Sequence, residues 1–343
     1  MIYLLVIIFL LLSGLTILDF IKTNYKNLIF ILIGVLLFFV AGFRPADVDR
    51  DYQNYVDFFY QNPTIKDSVL EPSFIIISSF VHTFLFGQAL YLFIIYALIG
   101  VTLKMIAIKQ LSNFQFTSLL IYFSYLFILQ DMTQIRAGVA TGLLLLCIKP
   151  LYERDLKKFL FFSALAICFH YSAIIILLLW FIKPLQINKW LFGAGILFSY
   201  LLYFSSAVYI TNIVNLLPEG AIYAKVLAYE YDNNGLLNVF NFWQISRCLL
   251  SFIFLWKIDL LIKNNKYSII LVKIYILTTC LYVILAVSPV FAGRISDLFS
   301  VVDIIIIAGL ISTFKPRFAG LFVVIAISFL YLSLNLFYNK III

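Results

Sequence analysis

Long apolar runs separated by short charged segments dominate the chain. The clearest cover residues 2–20, 28–43, 88–103, 115–130, 133–148, 190–208, 241–258, 267–288, 295–313 and 317–337. A helix needs roughly 20 apolar residues to cross the hydrocarbon core, so these runs read as spans. They do not alternate between apolar and polar positions, which argues against a membrane β-barrel. Two stretches fit less well: residues 73–86 are short for a crossing, and residues 159–182 are long, with His170 in the middle. Both are candidates for re-entrant or broken helices, because irregular backbone at membrane depth is tolerated only where protein buries it or water reaches it. The expected fold is all-α and polytopic. It has about 10–12 transmembrane helices, in one membrane domain over residues 1–343 with two long outer loops at 44–72 and 207–240.

Composition narrows the class further. Of the residues 64% are hydrophobic and 12% charged, against about 25% charged in a soluble domain. So few polar side chains cannot coat a water-facing surface, which excludes a soluble domain, a disordered chain and a nucleic-acid-binding module. The net charge of +8 therefore reports orientation. Segments 22–27, 104–114, 149–158, 183–189, 257–266 and 315–317 carry 15 of the 24 basic residues and are assigned to the cytoplasm. The two long loops carry four basic and nine acidic residues and are assigned outside, as is the N-terminus. The first run has no basic segment before it and no small-residue cleavage site after it, so it reads as a retained span. Cys147, Cys168, Cys248 and Cys280 lie in or beside apolar runs with no CxxC spacing. They read as packing residues rather than metal ligands or disulfides; no metal and no cofactor is expected.

The arginines are distributed unevenly. Of the basic residues assigned inside, only Arg154 and Arg317 are arginine, whereas Arg44, Arg50, Arg136, Arg247 and Arg294 fall in outer loops or at outer ends of spans. Lysine suffices to set topology, but arginine offers a rigid planar fork suited to bidentate binding of phosphate or carboxylate. Basic residues at outer span ends work against the positive-inside bias and so call for a reason. An anionic ligand at the outer mouth is one, and a pyrophosphate-linked lipid would fit. Local pairing is the other, with Arg294 reaching Asp297 and Arg136 reaching Asp131.

Other motifs surround these arginines. In the first outer loop Tyr52, Tyr55, Val56 and Phe59 fall at helical spacing opposite Gln53, Asn54 and Asp57, describing a short amphipathic helix in the interface. Asp47, Asp51 and Tyr55 lie one turn apart, a combination suited to sugar hydroxyls and ring faces. Glu71-Pro72 precedes the short segment, where the carboxylate would cap a helix or serve a site. Gly138 and Gly142, with Ala137 and Thr141, give the span after Gln134 and Arg136 a surface for close helix approach. His170 would lie deep beneath an outer vestibule, and imidazole is well tuned to move a proton. His82 has no companion pattern. Trp243 and Tyr231 near the outer boundary, and Trp190 and Trp256 near the inner one, read as aromatic belts.

Taken in order, these residues resemble the EpsG-like family of bacterial polysaccharide polymerases, within the broader Wzy class. The resemblance rests on Arg44, Asp51, Tyr52, Tyr55, Glu71, Gln134, Arg136, Gly138, Ala140, His170, Ser172, Ala173 and Arg294. One departure is that Asp49-Arg50-Asp51 stands where the family often has Gly-x-Asp before the Tyr. The resemblance implies a multi-pass protein of the bacterial cytoplasmic membrane. It implies transfer of a growing glycan from undecaprenyl pyrophosphate to an incoming lipid-linked repeat unit at the outer face, with no nucleotide sugar. Partners would be the lipid-linked oligosaccharide, membrane lipid and a chain-length regulator. In that scheme Arg136 and Arg294, with Arg44 and Arg247, hold the pyrophosphate. Tyr52, Tyr55, Glu71 and Gln134 line the substrate site, and His170 or Asp51 takes the proton. Two rival readings are a flippase for the same lipid-linked units and an O-antigen ligase. A flippase would spread its charges along a path open to both sides, and a ligase usually holds its histidine in one dominant outer loop.

Overall fold

Each apolar run becomes a helix, and the polar residues between runs mark where helices start. The computed structural model describes residues 1–21, 24–46, 48–61, 70–205, 237–286 and 288–342. The first half contains α1 (Ile2–Leu15, prolonged by the 3-10 turn Thr16–Asp19), α2 (Lys26–Gly42), α3 (Tyr52–Tyr60), α4 (Pro72–Phe84) and α5 (Ala89–Leu111). Next come α6 (Gln115–Tyr122), which widens into a π-helix over Phe123–Thr133, then α7 (Ile135–Glu153) and α8 (Leu156–Phe169), the last followed by the 3-10 helix Tyr171–Phe181. The second half contains α9 (Lys189–Phe204), α10 (Phe242–Asn264), α11 (Ser268–Ile284), α12 (Pro289–Phe299), α13 (Asp303–Gly309) and α14 (Arg317–Ser333), which ends in a π-helix over Leu334–Tyr338. Asp155, Asn188 and Asn241 cap α8, α9 and α10 by accepting from backbone N–H groups of the first turn. Pro72 and Pro289 open α4 and α12, where a missing N–H costs nothing.

The protein is an all-α multi-pass membrane protein. Among the described residues, six helical segments are long and apolar enough to cross a bilayer by length and composition. The two awkward stretches do not cross. A 13-residue α4 rises about 20 Å, short of the ~30 Å core. It starts beside Tyr96 of α5, whose hydroxyl lies 3.5 Å from Ser73 Oγ, and returns to α5 through the left-handed pair Phe86 (φ 58°) and Gly87 (φ 62°). Both ends of α4 thus lie toward the N-terminal part of α5. His82 stacks flat on Phe59 at 4.1 Å and its Nε2 is 3.0 Å from the Phe59 carbonyl, which ties α4 to α3 and gives this histidine a structural task.

Residues 156–181 form a hairpin rather than a span. Helix α8 climbs to His170, which breaks it with φ −154°, ψ 115°, and the 3-10 helix descends. At the inner end Arg154 donates Nη1 to the Trp180 carbonyl (2.6 Å) and Nη2 to that of Ile182 (2.5 Å), closing the mouth. The C-terminus lies against the first long loop. There Arg50 Nη2 donates to the Asn339 carbonyl (2.5 Å), and Asp49 and Ile342 form an antiparallel bridge.

Small residues let α5 and α7 meet closely around a buried charge. A Cβ on Gly142 would come within 2.8 Å of the Leu103 Cβ, and one on Gly100 within 2.4 Å of Asp131 Oδ1. Lys104 accordingly does not belong to a cytoplasmic loop. It lies inside α5, fully buried, with its ammonium 2.9 Å from Asp131 and 2.6 Å from the Gly138 carbonyl. Tyr122 donates to the other Asp131 oxygen at 2.8 Å.

Candidate functional site

Directly above that pair, four elements converge on a cavity of about 100 Å³. Asp51 and Tyr55 come from the start of α3, Gln134 and Arg136 from the start of α7, His170 from the hairpin tip, and Arg294 from α12. The break at His170 is what delivers the imidazole here, because an unbroken helix would carry it past the site.

Arg136 is held from three directions. Its Nη1 bonds Glu71 Oε2, and its guanidinium lies 5.4 Å from the Tyr55 ring centre and 5.7 Å from that of Phe74. Its Nε is buried and has no hydrogen-bond partner among the described residues. The expected Arg136–Asp131 pairing does not form, since Asp131 is taken by Lys104. Glu71 is the N-cap residue of α4 but makes no side-chain cap bond; its carboxylate turns instead to Arg136 and to His170, whose Nδ1 is 3.4 Å from Oε1. A carboxylate facing one imidazole nitrogen orients the ring and leaves the other nitrogen for the cavity.

Asp51 stands opposite. Burial holds its carboxyl above the ordinary carboxylate range, against the opposing pull of Arg136, Arg294, Arg44 and Arg50. Its backbone N–H donates to Asp49 Oδ1 at 3.0 Å, and Asp49 Oδ2 accepts from Arg44 Nε at 2.9 Å. Arg44 itself does not reach the cavity. It is buried one layer behind, also donating to the Ala41 carbonyl (3.0 Å), with its guanidinium 4.3 Å from the centre of the Phe93 ring. Tyr52 likewise stacks on Phe93 at 4.7 Å rather than lining the cavity. The amphipathic helix is present as α3, but its apolar face, Tyr55 and Phe59, packs on the bundle rather than lying against lipid. Asp47 and Tyr231 lie outside the described residues.

Arg247 goes elsewhere. It lines a second cavity, of about 340 Å³, where Nη1 donates to Ser296 Oγ and Nη2 to the Tyr125 hydroxyl (3.1 Å), with Asp303 at 3.8 Å. Trp243 departs from the aromatic belt to stack on Tyr125 at 5.0 Å beside this cavity. Trp190 and Trp256 are exposed. Sequence reasoning missed the Lys104–Asp131–Tyr122 group and the second cavity. The signal that marks them is the same: single polar residues, such as Lys104, Asp131, Asp303 and Asn335, within apolar runs.

A multi-pass membrane protein whose arginines, carboxylates and one histidine gather beneath a single face fits the membrane polymerases of polysaccharide biosynthesis, and comparison with known proteins supports that class. The chain belongs to the EpsG family, whose profile matches residues 27–341. It is similar to the amylovoran biosynthesis protein AmsC of Erwinia amylovora, at 24% identity over 336 residues, covering 92% of this chain and 87% of that protein. No solved structure matches it significantly.

Proposed function

We propose that the protein polymerises lipid-linked oligosaccharide repeat units at the outer face of the bacterial cytoplasmic membrane. A single membrane domain over residues 1–343 would do this. The observation that carries the reading is the convergence of Arg136, Arg294, His170 and Asp51, far apart in sequence, on one small cavity beneath the outer face. At about 100 Å³ the space suits a phosphate-sized group better than a sugar, since ligand pockets usually start near 300 Å³.

In the proposed reaction the donor is the growing glycan on undecaprenyl pyrophosphate. An acceptor hydroxyl on the incoming lipid-linked unit attacks the anomeric carbon. A new C–O bond forms, the bond from that carbon to the phosphate oxygen breaks, and undecaprenyl pyrophosphate leaves. Arg136 and Arg294 stabilise the charge that grows on the departing diphosphate, a role that can supply much of a rate enhancement. His170, oriented by Glu71, takes the hydroxyl proton. Asp51 holds the acceptor hydroxyls. The gathering of arginines under one face favours this over a flippase, which needs a path open to both sides. The placement of His170 on a membrane-embedded hairpin rather than in a long outer loop favours it over a ligase.

A gel of surface glycans from a deletion strain tests the reading. The expected result is collapse of the ladder to a single repeat, restored by the intact gene. Loss of every surface repeat, with lipid-linked units accumulating in the membrane, would point instead to export or ligation.

The roles of the two candidate bases separate kinetically. With purified protein and synthetic lipid-linked repeats, His170→Gln is expected to lower kcat by about 10²–10⁴-fold, the usual worth of a general base, with KM little changed. Asp51→Asn is expected to act mainly on KM. The reverse split would exchange their roles.

A further inference from the structure

The second cavity is larger, better supplied with aromatic rings and chemically unlike the first. We propose that it is a saccharide subsite which holds sugar residues of the glycan while the arginine cavity holds the diphosphate. The identity of that glycan rests on the polymerase reading above.

The lining argues for a neutral, hydroxyl-rich ligand. Trp243, Tyr282 and Tyr125 line the space with aromatic rings, and Asn241, Gln244 and Asn335 complete the wall with amides whose N–H groups donate within the protein. Aromatic rings suit the C–H faces of pyranose rings, and the Asp297 carboxylate and Tyr282 hydroxyl in the same lining suit sugar hydroxyls. An acyl chain would leave these polar groups without partners. An anion is no better served, because Arg247 is already engaged by Tyr125, Ser296 and Asp303. The volume, about 340 Å³, falls within the range of small-molecule sites, whereas the first cavity does not.

The walls are built for a ligand rather than for packing. Both π-helices of the described structure meet here: Asn335, in the C-terminal one, donates its amide N–H groups to the carbonyls of Ser124 (3.1 Å) and Tyr125 (3.0 Å) in the other. Wide helical turns of this kind are rare and concentrate at functional sites. Asn335 is 1% exposed, yet its Oδ1 has no partner among the described residues. That oxygen is closed off inside the wall, and the residue's part is to pin the two π-helices together.

Position completes the case. The cavity lies at the outer ends of α10, α11 and α14, on the face where the arginine cavity opens. Helix α12 joins the two. It carries Arg294 into the first cavity and Asp297 into the second, three residues or about 4.5 Å of helical rise apart. Gln130 Nε2 donates to the Asp297 carbonyl at 3.0 Å, bracing α12 against the segment that leads to Gln134 and Arg136. A glycan attached to a diphosphate in the first cavity would find its sugars beside the second.

The test measures direct binding to the full-length protein in nanodiscs. The probes are inorganic pyrophosphate and one- and two-repeat oligosaccharides, released by partial hydrolysis from the surface polysaccharide of the producing strain. Wild type is expected to bind the two-repeat oligosaccharide, with quenching of Trp243 fluorescence that Trp243→Phe removes. Tyr282→Ala and Asp297→Asn are expected to weaken that binding at least tenfold while leaving pyrophosphate binding within twofold. Arg136→Met is expected to do the opposite. Tyr282→Phe, which keeps the ring, guards against a folding defect and is expected to retain most of the affinity. Absence of wild-type binding at millimolar saccharide, competition by pyrophosphate, or indifference to Tyr282→Ala and Asp297→Asn would overturn the subsite. A deletion strain with an unaltered ladder would overturn the polymerase reading alone, because saccharide binding at this cavity is measured without turnover.

Discussion

Replacing Arg136 with alanine is expected to reduce polymerisation by about 10³-fold or more, the scale seen when a donor that stabilises developing charge is removed. Two effects combine in that number. The guanidinium lines the cavity, and its charge and donors disappear. Glu71 also loses its ion-pair partner, and an uncompensated buried carboxylate costs about 3–5 kcal/mol. A lifeless alanine variant could therefore be an unfolded one, so the informative substitutions are others. Arg136→Lys keeps the charge but not the fork, and one ammonium cannot serve Glu71 and a phosphate in fixed directions at once. It is expected to melt near wild type and still lose about 10²-fold in turnover. Arg136→Met with Glu71→Gln removes both charges, so it is expected to recover thermal stability without recovering activity. Turnover of purified protein beside a thermal melt reads both. Near wild-type turnover in Arg136→Lys would remove the bidentate role.

Much of this arrangement was legible in the residues, and the remainder fails for identifiable reasons. Helices follow hydropathy because unpaired backbone cannot sit in lipid, so the runs alone locate most elements. The 73–86 segment declares itself by length. The hairpin declares itself in part, because the 159–182 run is long for one crossing and carries His170 in its middle. Only the Arg154 bonds to Trp180 and Ile182 show that it turns back. The site residues were legible as chemistry rather than as geometry. Arg44, Arg136, Arg247 and Arg294 share a residue type and an outer position, yet packing sends Arg44 behind Asp49 and Arg247 to another cavity. Nothing in local sequence distinguishes them, since the separation depends on which helices are neighbours. Lys104 misled for a related reason. Near the end of an apolar run, a lysine reads as a topology signal, and its partner Asp131 lies 27 residues away. The π-helices were invisible, because a wider turn leaves no clear periodic mark.

That Lys104 pair should also dominate stability. Lys104→Met is expected to destabilise the protein by about 3–5 kcal/mol, the cost of leaving a buried charge without its partner. Asp131 cannot find water: Lys104 and Asp131 expose 0% and 1% of their side chains, and Gly100 and Gly138 close over the carboxylate. Substituting both residues gives the decisive comparison. Lys104→Met with Asp131→Asn removes both charges while the amide still accepts from the Tyr122 hydroxyl, so it is expected to regain most of the loss. The two substitutions should therefore couple by about 2 kcal/mol or more. A consequence for activity follows from position. The lysine also bonds the Gly138 carbonyl, two residues beyond Arg136 and so within the same turn of α7. The double variant should fold but hold Arg136 less firmly, and a displacement of about 1 Å can cost 10²-fold in rate. It is expected to keep its thermal stability and lose turnover, with KM for the lipid-linked repeat rising less than kcat falls. Wild-type turnover in a stable double variant would mean that Glu71, Tyr55 and Phe74 alone fix the arginine, and that the buried pair serves the fold and nothing else.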